Sequence, residues 1–284
     1  MPAPAHWSRH LPSDIDPESL DLLARVSLPA AWAANWRSAP DRDVLCDVDG
    51  AWVTGGQLLD RTGEVAGRLW RAGLRPGDRV VVSGAPSVAL VVAHAATLRM
   101  GLVVVPVNAE FSEREIEAIV GDSRPMGAMV DRPEMAGWMR VFGVEVVTGI
   151  DVDLPDGPPP TLDTVTPDDP ALLPYTSGTT GRPKGAMLSH GNLLASAEAI
   201  LLAWRWTAAD RLILCLPLFH MHGLGVGVPG TLRAGASAIL QRRFDVESVL
   251  GAAESGATMF FGVPTMYARL ADAEGAERLG ALRL

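Results

Sequence analysis

The sequence predicts an α/β protein with mostly parallel sheets, and three observations carry that prediction. From Gly77 onward short β-branched runs alternate with helical stretches. The crossovers between them recur regularly, as doubly wound sheets require. The alternation halts once, in a proline-rich interval, and then resumes.

The first half reads in order as strand Asp78 to Ser83, helix Pro86 to Met100 and strand Leu102 to Val107, which together form a βαβ unit. The next helix opens with Ser112-Glu113-Arg114-Glu115, a capping box in which Ser112 and Glu115 satisfy two orphan backbone donors. Thr54-Gly55-Gly56-Gln57 carries the same signature for an earlier helix. Strands at Met126 to Val130 and Val144 to Val147 flank a short helix.

Between Asp151 and Pro170, six prolines and several aspartates mark a turn-rich connector. The expected division is therefore a first subdomain over 1–150, a connector over 151–170 and a second subdomain over 171–284. The second half reads as strand Ala171 to Tyr175, a glycine-rich loop, strand Ala186 to Ser189 and helix Asn192 to Trp204. Strand Arg211 to Leu216, a helix near Gly223 to Arg233, strand Ala236 to Leu240, helix Val246 to Ser255 and strand Thr258 to Phe261 follow. A last helix begins at Pro264, where a missing N–H costs nothing. The final residues, Leu279 to Leu284, read as the approach to another strand.

The 284 residues leave room for about two domains. With 48% hydrophobic and 20% charged residues the composition is globular, not disordered or collagen-like. A formal charge of −9 gives no general pull toward nucleic acid or anionic membranes, so a bound phosphate needs a local site. Cys46 and Cys215 form no C-x-x-C pair, which leaves metal and redox readings unsupported and fits a reducing cytoplasm. The N-terminus has no signal-peptide pattern. Leu212 to Leu232 is long and free of Asp and Glu, yet its histidines, prolines and glycines favour strand, loop and buried helix over a membrane span.

Of the 24 basic residues 23 are arginine, and the single lysine is Lys184. It lies in Thr176-Ser177-Gly178-Thr179-Thr180-Gly181-Arg182-Pro183-Lys184-Gly185, the stretch most biased toward Gly, Thr and Ser. Such a loop turns N–H and O–H donors toward a phosphate, and an ammonium group neutralises charge on the leaving group. The spacing is not that of a P-loop, which needs Gly before the lysine and Ser or Thr after it. Here Pro183 precedes Lys184 and Gly185 follows.

Over Leu173 to Gly185 the chain closely resembles the AMP-binding signature of the adenylate-forming enzymes, which include acyl-CoA synthetases, luciferases and peptide-synthetase adenylation domains. Two further stretches are similar to family segments in the same order: Leu216-Pro217-Leu218-Phe219-His220-Met221-His222-Gly223-Leu224, and Phe261-Gly262-Val263-Pro264-Thr265-Met266-Tyr267. The resemblance implies the fold of the family's N-terminal domain and a two-step reaction. A carboxylate attacks the α-phosphorus of ATP with Mg²⁺, releasing pyrophosphate, and the thiol of CoA then displaces AMP.

Carried over residue by residue, Thr176, Ser177, Gly178, Thr179, Thr180, Gly181 and Lys184 would bind the nucleotide phosphates, with Thr176 or Thr179 on pyrophosphate. Lys184, Thr176 and His220 would be catalytic, His220 lying between the nucleotide and acyl sites. Met221, His222, Gly223, Gly262, Val263 and Pro264 would line the acyl pocket beside His220. No protein metal ligands are expected.

The family's adenine-binding segment, ribose aspartate, hinge and small C-terminal domain are not found, so an N-terminal portion is expected. With Lys184 assigned, no second lysine is left for the adenylation role of the C-terminal domain. The nearest branch by resemblance is malonyl- and methylmalonyl-CoA synthetase, whose second carboxylate needs a cation: His222, Arg233, Arg243 or Arg269. A fatty acyl tail against Met221, Val263 and Met266, a carrier-protein ligase that bypasses CoA, and a non-catalytic fragment stay open as alternatives. The expected partners are a small carboxylic acid, ATP and CoA, with no nucleic acid and no membrane span; a homodimer is compatible with the sequence.

Overall fold

Two apolar runs, Val80-Val81-Val82 and Leu212-Ile213-Leu214, set the layering, because each alternates its side chains between two different cores. Val80 and Val82 face one core and Val81 another, while Leu212 and Leu214 face that same first core and Ile213 a third. Strands buried on both faces are the mark of a parallel sheet covered by helices on each side. The computed structural model describes residues 11–17, 20, 25–48, 50–176 and 184–284.

The described elements run α1 (Leu28–Ser38), β1 (Asp43–Asp47), β2 (Val53–Thr54), α2 (Gly55–Arg71), β3 (Arg79–Ser83), α3 (Val88–Arg99), β4 (Val103–Pro106), α4 (Glu113–Ser123), β5 (Gly127–Val130), α5 (Pro133–Val141) and β6 (Val146–Thr148). Beyond the connector come β7 (Pro170–Leu172), β8 (Tyr175–Thr176), β9 (Lys184–Gly185), β10 (Leu188–Ser189), α6 (His190–Ala203) and β11 (Arg211–Leu214). A π-helical turn (Met221–Gly227), α7 (Val228–Ala234), β12 (Ser237–Leu240), α8 (Val246–Glu254), β13 (Met259–Phe260), α9 (Pro264–Ala271) and a 3-10 turn (Ala276–Ala281) complete the chain.

The first sheet has the order β10-β7-β4-β3-β5-β6, parallel except for β10. The second has the order β13-β11-β12-β1-β2, parallel except for β2. Helix α3 lies between them, touching β4 of one and β1 of the other. Its sequence is apolar almost all round, as a helix with no solvent face must be. Helices α4 and α5 cover the outer face of the first sheet, and α8 and α9 that of the second.

The expected capping boxes are present at both helices. The Thr54 N–H donates to Gln57 Oε1 at 3.0 Å and the Gln57 N–H to Thr54 Oγ1 at 3.4 Å. At α4 the Glu115 carboxylate accepts from both the N–H and the hydroxyl of Ser112, at 2.8 and 2.6 Å. The apolar stretch from Leu212 to Leu232 is strand, turn and buried helix, and no described helix is long and apolar enough to cross a membrane.

Four expectations need correction. The stretch Ala171 to Tyr175 is not one strand: β7 ends at Leu172 and β8 starts at Tyr175, in a separate ribbon. Pro174 stands between them without an N–H to continue the ladder. The strand expected over Ala186 to Ser189 shrinks to β10 in the first sheet, and the residues paired in the ribbon, β9, lie just before it. The helix expected near Gly223 starts two residues earlier, as a π-helical turn.

The connector over 151–170 does not separate the two sheets. The first sheet takes β7 and β10 from beyond it, and the second takes β1 and β2 from before it. One core accordingly runs from Leu28 to Phe261. Local hydrophobic pattern forecasts a strand but not its partner, which is why this exchange lay outside the sequence reading.

Candidate active site

The ribbon of β8 and β9 brings Thr176 and Lys184 together as directly paired residues, with Tyr175 opposite Gly185 in the next register position. Both Thr176 and Lys184 are exposed. Gly185 lies close under two side chains: an added Cβ would lie 2.9 Å from Leu173 Cδ1 and 3.2 Å from Tyr175 Cζ, and these side chains would have to move. The Tyr175 hydroxyl donates to Asp122 Oδ2 on α4 at 2.5 Å. Burial and that carboxylate together raise the phenol pKa, so Tyr175 keeps its proton and donates this hydrogen bond at neutral pH. Ser177, Gly178, Thr179, Thr180 and Gly181 lie outside the described residues.

A second group forms at the C-terminal ends of β11 and β13, adjacent parallel strands in which Ile213 pairs with Phe260. Segments leaving such strand ends line the crevice where open α/β sheets bind ligands. From β11 comes the run to His220, Met221, His222 and Gly223; from β13 come Gly262, Val263 and Pro264. His220 and His222 are exposed and Gly223 is buried in the π-helical turn. Such turns are rare and concentrate at functional sites.

The His222 ring stacks on Phe261 at 5.8 Å, which ties the two segments together. Trp204 and Trp206 pack edge-on against the same Phe261, at 5.1 and 5.5 Å. Phe219 and His220 lie 4.2 Å apart, ring centre to ring centre. On the other segment the Tyr267 hydroxyl accepts from the Gly262 N–H and donates to the Phe260 carbonyl, both at 3.2 Å, closing the loop that carries Val263 and Pro264. The ribbon and this group are linked through α6, which follows β10 and packs on the π-helical turn.

The four candidate cations have different surroundings. Arg233 is committed to Glu198, its Nε donating at 2.6 Å, and lies in the last turn of α7, which leads into the start of β12 and away from the strand ends. Arg269 rests over the Phe244 ring at 4.9 Å, and both Arg243 and Arg269 act electrostatically on Asp245. His222 is the one in contact with the β13 segment.

Among the described residues no three His, Cys, Asp or Glu side chains cluster to hold a metal, so the protein offers no cage for Mg²⁺ there. A magnesium ion commonly keeps its waters and rides on substrate phosphates. Both cysteines are free and buried, and burial pushes each thiol up to about 11, so neither is a thiolate nucleophile at neutral pH.

Sequence reasoning passed over Tyr175, Asp122 and Tyr267. Tyr175 and Tyr267 stood inside the quoted motifs, but nothing local forecasts that a phenol will reach a helix 53 residues away.

The AMP-binding enzyme family model matches residues 32–284. The chain is 37% identical over 227 residues to a feruloyl-CoA synthase of Amycolatopsis sp, covering 78% of this chain and 46% of that protein. It is 33% identical over 272 residues to a sulfoacetate–CoA ligase of Cupriavidus necator, covering 90% and 52%. To the mitochondrial malonate–CoA ligase of Mus musculus it is 31% identical over 233 residues, covering 76% and 40%. The crystal structure of ATP-bound MatB from Rhodopseudomonas palustris superposes with a TM-score of 0.80 at 33% identity, over 90% of this chain and 54% of that one. The chain thus spans about half the length of the curated relatives it matches. With the glycine-rich signature, the sheet topology and the strand-end segments in agreement, the chain belongs to the AMP-binding enzyme family.

Proposed function

We propose that this chain supplies the ATP- and acid-binding half of an acyl-CoA synthetase, which adenylates a carboxylic acid and passes the acyl group to CoA. The observation that carries the reading is the pairing of Thr176 with the lone Lys184 at the two ends of the glycine-rich signature. A flexible ammonium group and a hydroxyl held at one register position suit a polyphosphate whose charge grows as pyrophosphate leaves. His220 would stand between nucleotide and acid, while Met221, His222, Gly223, Gly262, Val263 and Pro264 would hold the acid. Most of the rate would come from positioning and charge neutralisation, because the transfer asks for little covalent chemistry from the protein.

For the acid we favour malonate or methylmalonate. Two of the relatives, the malonate and sulfoacetate ligases, act on short acids that carry a second negative charge. His222, in contact with the Phe261 segment, is the candidate among the four that we favour for meeting it. The feruloyl-CoA synthase supports the competing reading, an apolar pocket against Met221, Val263 and Met266. A cytoplasmic setting suits the free cysteines.

The test is ATP–pyrophosphate exchange in a full-length enzyme containing this chain. Lys184→Ala is expected to lower the adenylation rate about 10²-fold, the scale of losing one charge-stabilising group, with little change in acid affinity. Equal exchange by variant and parent would remove Lys184 from the chemistry. Competition between malonate and medium-chain monocarboxylates then decides the acid: a preference of about a hundredfold for the monocarboxylate would overturn the dicarboxylate reading.

A further inference from the structure

We propose that Tyr175 is a positioning residue for the nucleotide site: its bond to Asp122 holds the β8–β9 ribbon in the register that sets Thr176 opposite Lys184. The proposal rests on the reading that these two residues receive the nucleotide phosphates.

The ribbon cannot hold itself. Each strand is two residues long, and a two-stranded hairpin is marginal in water even at greater length. Thr176 and every residue from Lys184 to Met187 are exposed, so little apolar burial fixes the pairing. Among the described residues one bond closes the ribbon's base and the Tyr175 side chain attaches it to the body. The Ala186 N–H donates to the Pro174 carbonyl at 2.9 Å, within the ribbon's own base. The Tyr175 ring lies against Gly185 and joins the apolar residues packed under α4. The phenol–carboxylate bond reaches α4 itself.

Asp122 supports the assignment from the other side. It sits in the last turn of α4, whose end carbonyls at Ser123 and Arg124 accept from the Arg79 guanidinium at 2.8 and 2.6 Å, so the acceptor stands on a capped helix end. A hydroxyl donating to an ionised carboxylate at this distance is among the strong hydrogen bonds.

The single lysine provides the experiment, because a lysine-specific protease can cut the 284-residue chain only after Lys184. Tyr175→Phe keeps the ring on Gly185 and removes only the hydroxyl. Asp122→Ala removes the acceptor. Both variants are expected to raise the cleavage rate about tenfold, the double variant no further, with melting temperature unchanged in each. An unchanged cleavage rate would overturn the proposal, and so would faster cleavage that merely tracks a lower melting temperature.

In the full-length enzyme, Tyr175→Phe should raise KM for ATP about tenfold while KM for the acid and the thiolysis of preformed acyl-adenylate stay as in the parent. Equal losses in both half-reactions would show a general structural role and overturn it. If the parent enzyme exchanges no pyrophosphate, the adenylation reading fails by itself, and the cleavage rates still decide whether Tyr175 holds the pair.

Discussion

The connector over 151–170 and the ribbon of β8 and β9 both interrupt the alternation of strand and helix, yet they are fixed in opposite ways. Four arginines from three helices clasp the connector. Arg68 of α2 donates to Asp156 at 2.8 Å and to the Val152 carbonyl at 3.3 Å, and Arg71 donates to the Asp156 carbonyl at 2.7 Å. Arg99 of α3 grips both oxygens of Asp163 at 3.0 and 2.9 Å, with Arg37 of α1 3.2 Å from the same carboxylate. Val152 is fully buried. Among the described residues the ribbon's long-range polar attachment runs through one side chain, Tyr175, to the end of α4 at Asp122. A proline-rich stretch therefore forecasts an absence of regular structure, not a loose linker; what fixes it is donors from elsewhere that meet its carbonyls and carboxylates.

Arg99→Ala breaks the connector's side of that comparison and should have the largest effect on stability. Arg99 and Asp163 are 5% and 10% exposed, so truncation strands a nearly buried carboxylate with Arg37 as partial compensation. The expected cost is about 3 kcal/mol in urea unfolding. Cleavage at Lys184 under native conditions should not change, because the ribbon hangs from α4. A loss below about 1 kcal/mol would place this pair with ordinary surface ion pairs and dissolve the contrast.

The same contrast marks how far the sequence could be read. The boxes at Thr54–Gln57 and Ser112–Glu115, the three valines of β3 and the proline opening α9 all act within a few residues, and each was legible. The quoted motifs likewise named Thr176, Lys184, His220, His222 and Gly262 without any knowledge of contacts. Illegible were the features that depend on partners far along the chain. These include the pairing of β1 with β12, the grip of Arg99 on Asp163, the commitment of Arg233 to Glu198 and the tether of Tyr175 to Asp122. An arginine in a sequence announces a charge; only the fold says which carboxylate it meets.

Acid sharpens the comparison where the two regions join. His190, the first residue of α6, takes the Asp169 carbonyl at the end of the connector on its N–H at 3.1 Å, and it follows the strand that leaves the ribbon. Burial lowers its pKa from 6.5 to about 4 against the opposing pull of Asp169. Burial, with repulsion from His190, lowers His94 equally. Between pH 6.5 and 4 the unfolded chain then holds more protons than the folded one, so stability falls as pH drops through that window. We expect a loss of roughly 2 kcal/mol or more from pH 7 to 5, and a shallower slope in His94→Leu. Asp210 acts elsewhere on the scale: burial alone would raise it, but bonds from Arg283, the Thr207 N–H and Thr258 bring it down to about 2. Its contribution is present above about pH 4 and is lost only as pH falls toward 2. Equal stability at pH 7 and 5 in the parent would contradict the account of the two histidines.

The smallest expected effect comes from one substitution made twice on α2. Glycine inside a helix is worse than alanine by about 0.5–1 kcal/mol, so Gly63→Ala and Gly67→Ala should both stabilise the protein if α2 stood alone. Gly63 has nothing within 4 Å of where its Cβ would go, and there the gain should appear in full. At Gly67 the added carbon would run into the carbonyl oxygen of Gly157, backbone that cannot turn aside as a side chain would. The connector must lift, straining the Arg68 and Arg71 bonds to Asp156, and overpacking of this kind costs about 1–3 kcal/mol. The two variants should therefore move the melting temperature in opposite directions. If Gly67→Ala stabilises as Gly63→Ala does, the connector yields to a single methyl group and is no better fixed than the ribbon.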